Sequence, residues 1–415
     1  MSEGGSRYEA PHLSTGSSGA NTSRIELFHR CPRGMSQLTE GVPIAPKSSL
    51  PTWARPHYVG IDENGMGPRL GPLIVTSVLA TVDEAGAKLV TSRPRGSSAK
   101  RIGDSKKLVT FDDSALGEAW ARALAKRDGI DAHTPSELLA AVALDDEGAL
   151  QAPCPSHHTD LCWATDGESF ASDDAMVAAC AKDLDRLQAK GVRVRRARVA
   201  IVCTKRLNEA VQRGLSRFDV DLHTMERLTL DARDAVADEV YALCGKVGGF
   251  DFYGDRFGPL GGYLHTTLVE GRARSEYQVP GVGRLAFVRD GDDTHLIIGL
   301  ASLVGKWARD HLMRRVVRYH RVHSTEEVRA ELPEASGYHD PVTTQFIRAT
   351  ALVRTNRRVD PICFERTALG RAASSATSSA LPKEPPKAPP KAPPKKKALP
   401  EPRSRLLELL PPEEA

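Results

Sequence analysis

The stretch from Tyr58 to Leu79, YVGIDENGMGPRLGPLIVTSVL, constrains the fold more than any other part of the chain. Tyr58 to Ile61 reads as a buried strand that delivers two adjacent carboxylates, Asp62 and Glu63, into the loop at its carboxyl end. Open α/β sheets place their chemistry there. Asn64-Gly65-Met66-Gly67-Pro68 follows as a tight turn whose glycines let backbone amides approach a phosphate or sugar closely. Pro72 to Thr81 then supplies a second apolar run. Adjacent acids repel unless a cation or base relieves them, so the pair points to a hard divalent metal, or more blandly to a solvated turn.

A chain of 415 residues has room for two domains, or for one enlarged domain with tails. It contains no apolar run of about 18 residues, and its amino terminus lacks the apolar core of a signal peptide, so a soluble cytoplasmic protein with no membrane partner is expected. Seven scattered cysteines, an odd number, suggest reduced thiols rather than a disulfide framework. The net charge of +4 is concentrated in residues 371–415, which carry six Lys and three Arg against five Glu.

Residues 1–52, rich in Ser, Gly and Pro, read as a disordered leader, and 53–365 as the folded unit. Asp104-Ser105-Lys106-Lys107 precedes a helix over 112–126; its two lysines either hold phosphates or form a solvated face. Residues 128–197 form an enlarged insertion with helices at 135–142 and 173–190. Between them Cys154, His157, His158 and Cys162 have a spacing that fits no standard zinc finger, and they read as a surface loop. A strand follows at 198–203, then a long helix from about Leu222 to Cys244 stopped by Gly248-Gly249, and a strand from Phe250 to Gly254 that ends at Asp255. Another strand, Arg284 to Arg289, ends in Asp290-Gly291-Asp292-Asp293, and the helix Leu296 to Tyr319 carries Lys306, Arg309 and Asp310. Acids thus recur at strand ends. Residues 311–365 read as a helical carboxyl-terminal subdomain, with an exposed Tyr338 in a Gly- and Pro-containing turn. The tail at 371–415 reads as extended, polyproline-like and basic, ending in RSRLLELL at 403–410.

Together these segments resemble ribonuclease HII, the type II ribonuclease H family, over most of residues 57–350. The resemblance is carried by GIDENGMGPRLGPL at 60–73, DSKKL at 104–108, RLNEAVQRGL at 206–215, GDRFGPLGGY at 254–263, GLASLVGKWARD at 299–310 and SGYHDPVTT at 336–344. It implies an α/β fold with a ribonuclease H-like mixed sheet flanked by helices and a helical carboxyl-terminal subdomain. It also implies a four-carboxylate metal site at Asp62, Glu63, Asp255 and Asp292, with Asp290 and Asp293 close enough in sequence to compete for the last place. Tyr263 supports the third acid, and Asp310 is a supporting residue. Gly65, Met66, Gly67, Lys106, Lys107 and Tyr338 match the positions that contact nucleic acid. Met66 stands where the family has Arg or Lys.

The implied chemistry is hydrolysis of RNA in RNA/DNA hybrids, or of ribonucleotides embedded in duplex DNA, leaving 5′-phosphate and 3′-hydroxyl ends and serving DNA replication and repair. Two Mg²⁺ or Mn²⁺ ions suit four carboxylates without thiolates. Two other readings stay open: a hybrid-binding protein without catalysis, and a structure-selective nuclease without ribose preference, which Met66 makes plausible. Some relatives carry a sliding-clamp peptide at the carboxyl terminus; RSRLLELL lacks its Gln and aromatic residues.

Overall fold

Two β-branched runs joined by the glycine turn pair as an antiparallel hairpin, β1 (His57–Asn64) with β2 (Leu73–Val82), and set Asp62 opposite Thr76 and Glu63 opposite Val75. The computed structural model describes residues 56–96, 98–247 and 250–367; the leader and the Pro/Lys-rich tail lie outside them. β3 (Val192–Val202) continues the antiparallel pairing beyond β2. On the other side of β1, β4 (Val240–Gly245) and β7 (Gly283–Val288) run parallel to it. β6 (Arg274–Val279) and β5 (Thr266–Val269) complete the sheet antiparallel, in the order β3-β2-β1-β4-β7-β6-β5. The result is a mixed seven-stranded sheet flanked by helices, with a helical region at its carboxyl-terminal end, as expected.

Alternate residues of β1 face opposite layers. Tyr58 belongs to the core under the long helix Leu296–Val322, whereas Val59 and Ile61 face the helix Arg217–Val236 and pack with Leu222, Met225 and Leu228. The long helix approaches β1 closely enough that a Cβ on Gly60 would stand 2.4 Å from the backbone of Ile297. Asp62 and Glu63 therefore lie near the carboxyl end of a central strand, between two helices.

The helix Arg217–Val236 begins at a capping box, in which Asp219 N–H donates to Ser216 Oγ and Ser216 N–H to Asp219 Oδ2. It ends at Ala237, in the left-handed region at φ 51°. This corrects the expected helix to Cys244: Val240–Gly245 is a fully buried strand, and an apolar run of that length suits either state. The expected strand at 250–254 is instead a loop, held by Tyr253 stacking on Phe287 at 3.9 Å between ring centroids. β3 also starts at Val192, six residues before the expected strand.

A third core, including Leu70, Met313, Val317, Phe346 and Phe364, joins the long helix to the carboxyl-terminal helices. The insertion is tied to the same helix through Glu168, which meets His311, Arg315 and Arg318. Past Phe364 the chain returns to the hairpin: Arg366 N–H donates to Arg69 O, and the Asn208 amide donates to Ile362 O and Glu365 O. Among the described residues no helix is long and apolar enough to cross a membrane.

Candidate active site

Asp62 is buried, and its carboxyl is held well above the usual carboxylate range, first by burial and then by the charges of Glu63 and Asp292. Glu63 is pushed up to about 8 by burial, with Asp221 the largest neighbouring charge. Asp292 is raised by burial and by Asp104. Lys106 opposes the shift at all three of Asp62, Glu63 and Asp292, so its ammonium stands within charge range of the whole group. The Ser302 hydroxyl, whose oxygen lies 2.9 Å from Ser105 Oγ, favours the ionised form of Asp62.

The short helix Gly291–Thr294, directly after β7, presents Asp292 to this group. Its neighbour Asp293 is engaged elsewhere, by Arg93 and Lys107. Lys107 also pairs with Asp104, so the two adjacent lysines divide their work: Lys106 faces the acids and Lys107 braces the loop that holds it. Asp290 is exposed.

Asp255 is not brought to these residues. It is exposed in the single turn Gly254–Arg256, and neither Asp62, Glu63 nor Asp292 has it as a charged neighbour. The neighbour that sequence reasoning missed is Asp221, five residues past the Ser216 cap. It is fully buried, it raises Glu63 and is itself raised by burial and by Asp62, and neither of its oxygens has a hydrogen-bond partner among the described residues. Asp310, the expected supporting acid, is buried with Lys306 and Arg309 bound to it. Tyr263, expected to support the third acid, is partly exposed and hydrogen-bonds with Arg233 rather than with this group.

The glycine turn lies beside this strand end. Gly65 sits at φ +91°, and a Cβ there would meet Arg309 Nε at 2.9 Å; Gly67 faces open space. Met66 packs inward against the core under the helix Arg217–Val236. Arginines from other segments hold the turn from behind: Arg366 Nη1 donates to Gly65 O at 2.6 Å, and Arg217 Nη1 to Met66 O at 3.3 Å. Tyr338 is partly exposed, with the Arg309 guanidinium 4.5 Å from its ring centroid.

An all-oxygen donor set of buried and half-buried carboxylates, one with both oxygens orphaned among the described residues, fits a hard divalent cation by its chemistry. As the side chains stand, no three His, Cys, Asp or Glu among the described residues are gathered closely enough to share an ion. The same holds for the Cys/His loop of the insertion. There His157 Nε2 lies 3.0 Å from Arg358 O and His158 Nε2 accepts Asp360 N–H at 3.3 Å, so the loop docks the insertion onto the carboxyl-terminal segment.

No family model and no curated protein matches the chain. Solved structures similar to it are ribonucleases H of type 2. The Mn²⁺ complex of Bst-RNase HIII aligns with a TM-score of 0.38 and 12% identity over 76% of this chain and 67% of that one. RNase HII of Archaeoglobus fulgidus, in complex with PCNA, aligns with a TM-score of 0.34 and 14% identity, over 77% of this chain and 97% of that one. The Q54A mutant of Bst-RNase HIII gives a TM-score of 0.32 at 13% identity over 64% of this chain, which spans only 55% of that protein's length. Likeness at this level concerns the path of the backbone; the chemistry rests on the chain's own residues.

Proposed function

We propose that this protein is a metal-dependent endoribonuclease that hydrolyses RNA in RNA/DNA hybrids, or ribonucleotides embedded in duplex DNA, leaving 5′-phosphate and 3′-hydroxyl ends. The observation that carries the reading is the convergence of Asp62, Glu63 and Asp292 beside Lys106 near the carboxyl end of β1, next to an open glycine turn. The residues that would hold Mg²⁺ or Mn²⁺ are Asp62, Glu63 and Asp292; when bound, such ions activate water and neutralise charge on a phosphodiester.

The remaining roles belong to the chain. Lys106 supplies positive charge where the anionic backbone must approach the acids. The carbonyls of Gly65 and Met66 point toward Arg366 and Arg217. In a trans peptide N–H and C=O oppose each other, so the N–H groups of Met66 and Gly67 face away from the arginines. Two outward donors on a turn with open space before them suit a ribose 2′-hydroxyl, the group that separates RNA from DNA. Tyr338, stiffened by Arg309, offers a face for stacking on a sugar or base.

The test is cleavage of a labelled DNA duplex carrying one ribonucleotide, beside an RNA/DNA hybrid and an all-DNA duplex, with Mn²⁺, Mg²⁺ or chelator. Metal-dependent cutting at the ribonucleotide that disappears in Asp62→Asn supports the reading. Comparable cutting of all-DNA duplex would instead favour a structure-selective nuclease, the outcome suggested by an uncharged, inward-packed Met66. Hybrid binding that survives Asp62→Asn with no cutting in any metal would leave a binding protein.

A further inference from the structure

The parallel pair β1–β4 sets Ile61 opposite Cys244, which brings the next residue of β4, Gly245, beside Asp62. At this point in the sheet the neighbouring strand contributes no side chain. A Cβ on Gly245 would come 2.4 Å from Asp62 Oδ1 and 3.6 Å from Glu63 Oε2, so the carboxylates occupy the space that a side chain on β4 would need. The helix Arg217–Val236 fills the want of a donor from the other side, with Asp221.

Asp221 has no structural explanation of its own. Both its oxygens are buried and unpartnered among the described residues, and its charged neighbours at the site, Asp62 and Glu63, carry the same sign. A carboxylate in that state is among the more costly groups to bury. Protonation alone does not satisfy it: one oxygen could then donate, but the other would still have no donor among the described residues. Neither Cys244, the buried thiol at the end of β4, nor Tyr253, whose hydroxyl is also orphaned, hydrogen-bonds to it, although both lie within electrostatic range. What answers two orphaned carboxylate oxygens facing two further carboxylates is a cation.

We propose that Asp221, carried on a helix, is the missing acidic ligand of the divalent-cation centre, supplied from the helix layer where the adjoining strand has only Gly245 and contributes no side chain. The inference rests on the reading of Asp62, Glu63 and Asp292 as that centre. It replaces Asp255, which is solvent-exposed, with a residue already inside the cluster. The geometry also gives Gly245 a reason: a side chain there would crowd the Asp62 carboxylate.

The test is direct binding of Mn²⁺ to the full chain, followed by the electron paramagnetic resonance of the free ion, with thermal melts in Mn²⁺ and in chelator. Asp221→Asn is expected to bind Mn²⁺ weaker by roughly tenfold or more, and to lose most of the melting-temperature rise that Mn²⁺ gives the wild type. Should Asp221→Asn fail to fold, the smaller Asp221→Ser carries the same binding comparison. Wild-type Mn²⁺ affinity in a folded Asp221 variant, with affinity lost in Asp62→Asn, overturns the role of Asp221 and leaves the centre standing. Affinity lost in Asp255→Asn and kept in Asp221→Asn does the same in favour of Asp255. A wild-type chain that binds no Mn²⁺ overturns the centre itself and the inference with it.

Discussion

Gly245 and Asp62 stand so close across the β1–β4 pair that a Cβ on the glycine would lie 2.4 Å from Asp62 Oδ1. The obstructed atom is the end of a rotatable side chain, so Gly245→Ala is expected to turn Asp62 aside rather than unfold the protein. Stability should change by about 1 kcal/mol or less, while cleavage falls by roughly 10²-fold, the scale on which a small misplacement of a reacting group acts. Urea midpoints and kcat/KM measured together check this; a fall in both by the same free energy would point to simple unfolding.

Gly60 makes the opposite case. Its absent Cβ would meet the Ile297 carbonyl carbon and oxygen, both at 2.4 Å, and a backbone cannot rotate out of the way. Gly60→Ala is expected to destabilise the fold by about 1–3 kcal/mol by prising the long helix from β1. The urea midpoint should drop, and activity of the folded fraction should fall less than in Gly245→Ala.

Arg366 reaches three carbonyls of the hairpin connection, Gly65 O at 2.6 Å, Met66 O at 3.4 Å and Gly71 O at 2.9 Å, from a buried position at the end of the carboxyl-terminal segment. Burial, with Arg217 and Arg309 nearby, lowers it to about 9, which still leaves it charged at neutral pH. Arg366→Ala would leave those carbonyls without their donor, at about 1–3 kcal/mol for each that finds no substitute. Its sharper signature is in selectivity: the turn would lose its set, and the ratio of cleavage at ribonucleotide over deoxynucleotide sites should fall, with Arg366→Lys recovering part of it. An unchanged ratio would confine Arg366 to stability.

Much of this site was legible because its residues are local in sequence. The hairpin Tyr58–Thr81 declares its strands by β-branched runs and its turn by glycines, and the acidic pair sits between them. The cluster of acids where β7 ends just before a long helix was legible too, and the resemblance's spacing to Ser302, Lys306 and Asp310 singled out Asp292 in it. Asp255, expected from the resemblance as the third acid, lies apart from these residues, and a misread boundary added to that expectation. Reading Val240–Cys244 as the last turns of a helix displaced the following strand to 250–254, and a strand ending there made Asp255 a strand-end acid. The left-handed Ala237 and the sequence Asp238-Glu239 before Val240-Tyr241 mark the break, but no helix-stopping glycine or proline does. Asp221 was invisible for a different reason. It precedes the first residue of the expected helix, and an acid one turn into a capped helix ordinarily signifies only its amino terminus. That it is buried within charge range of Asp62 rather than exposed to solvent is a property of packing.

Glu168 fastens the insertion to the long helix. Arg315 reaches it through two bonds at 2.7 and 3.0 Å, Arg318 donates at 2.7 Å, and His311 Nε2 stands 3.3 Å away. Burial alone would raise this carboxyl, but its basic neighbours His311, Arg315 and Arg318 outweigh it and hold it well below the ordinary range. Removing the charge in Glu168→Gln leaves the buried Arg315 without its counter-ion, and a loss of about 3–5 kcal/mol is expected, as for other broken buried pairs. Limited proteolysis should then cut within 128–197 before the rest of the chain. Resistance equal to the wild type would mean that the insertion is held by its apolar contacts.

Glu226 sets the pH response of the loop that follows β4. It accepts N–H from Gly258 and, at 2.7 Å, from Leu260, yet burial outweighs these bonds and pushes its carboxyl up to about 7. An unfolded glutamate titrates near 4.3, so between roughly pH 4 and 7 the folded chain keeps a proton that the unfolded chain has released. The contribution of Glu226 to stability is therefore fully present below about pH 4 and is lost as pH rises through about 7. Glu226→Gln retains an oxygen for both N–H groups and cannot ionise. Melting temperatures of the two proteins, compared in chelator from about pH 5 to pH 8, should lie closest at the acidic end, separate as pH rises toward 7 and run parallel above it, with the variant higher. Parallel curves across that range would mean that Glu226 ionises in the fold as readily as it does in the unfolded chain.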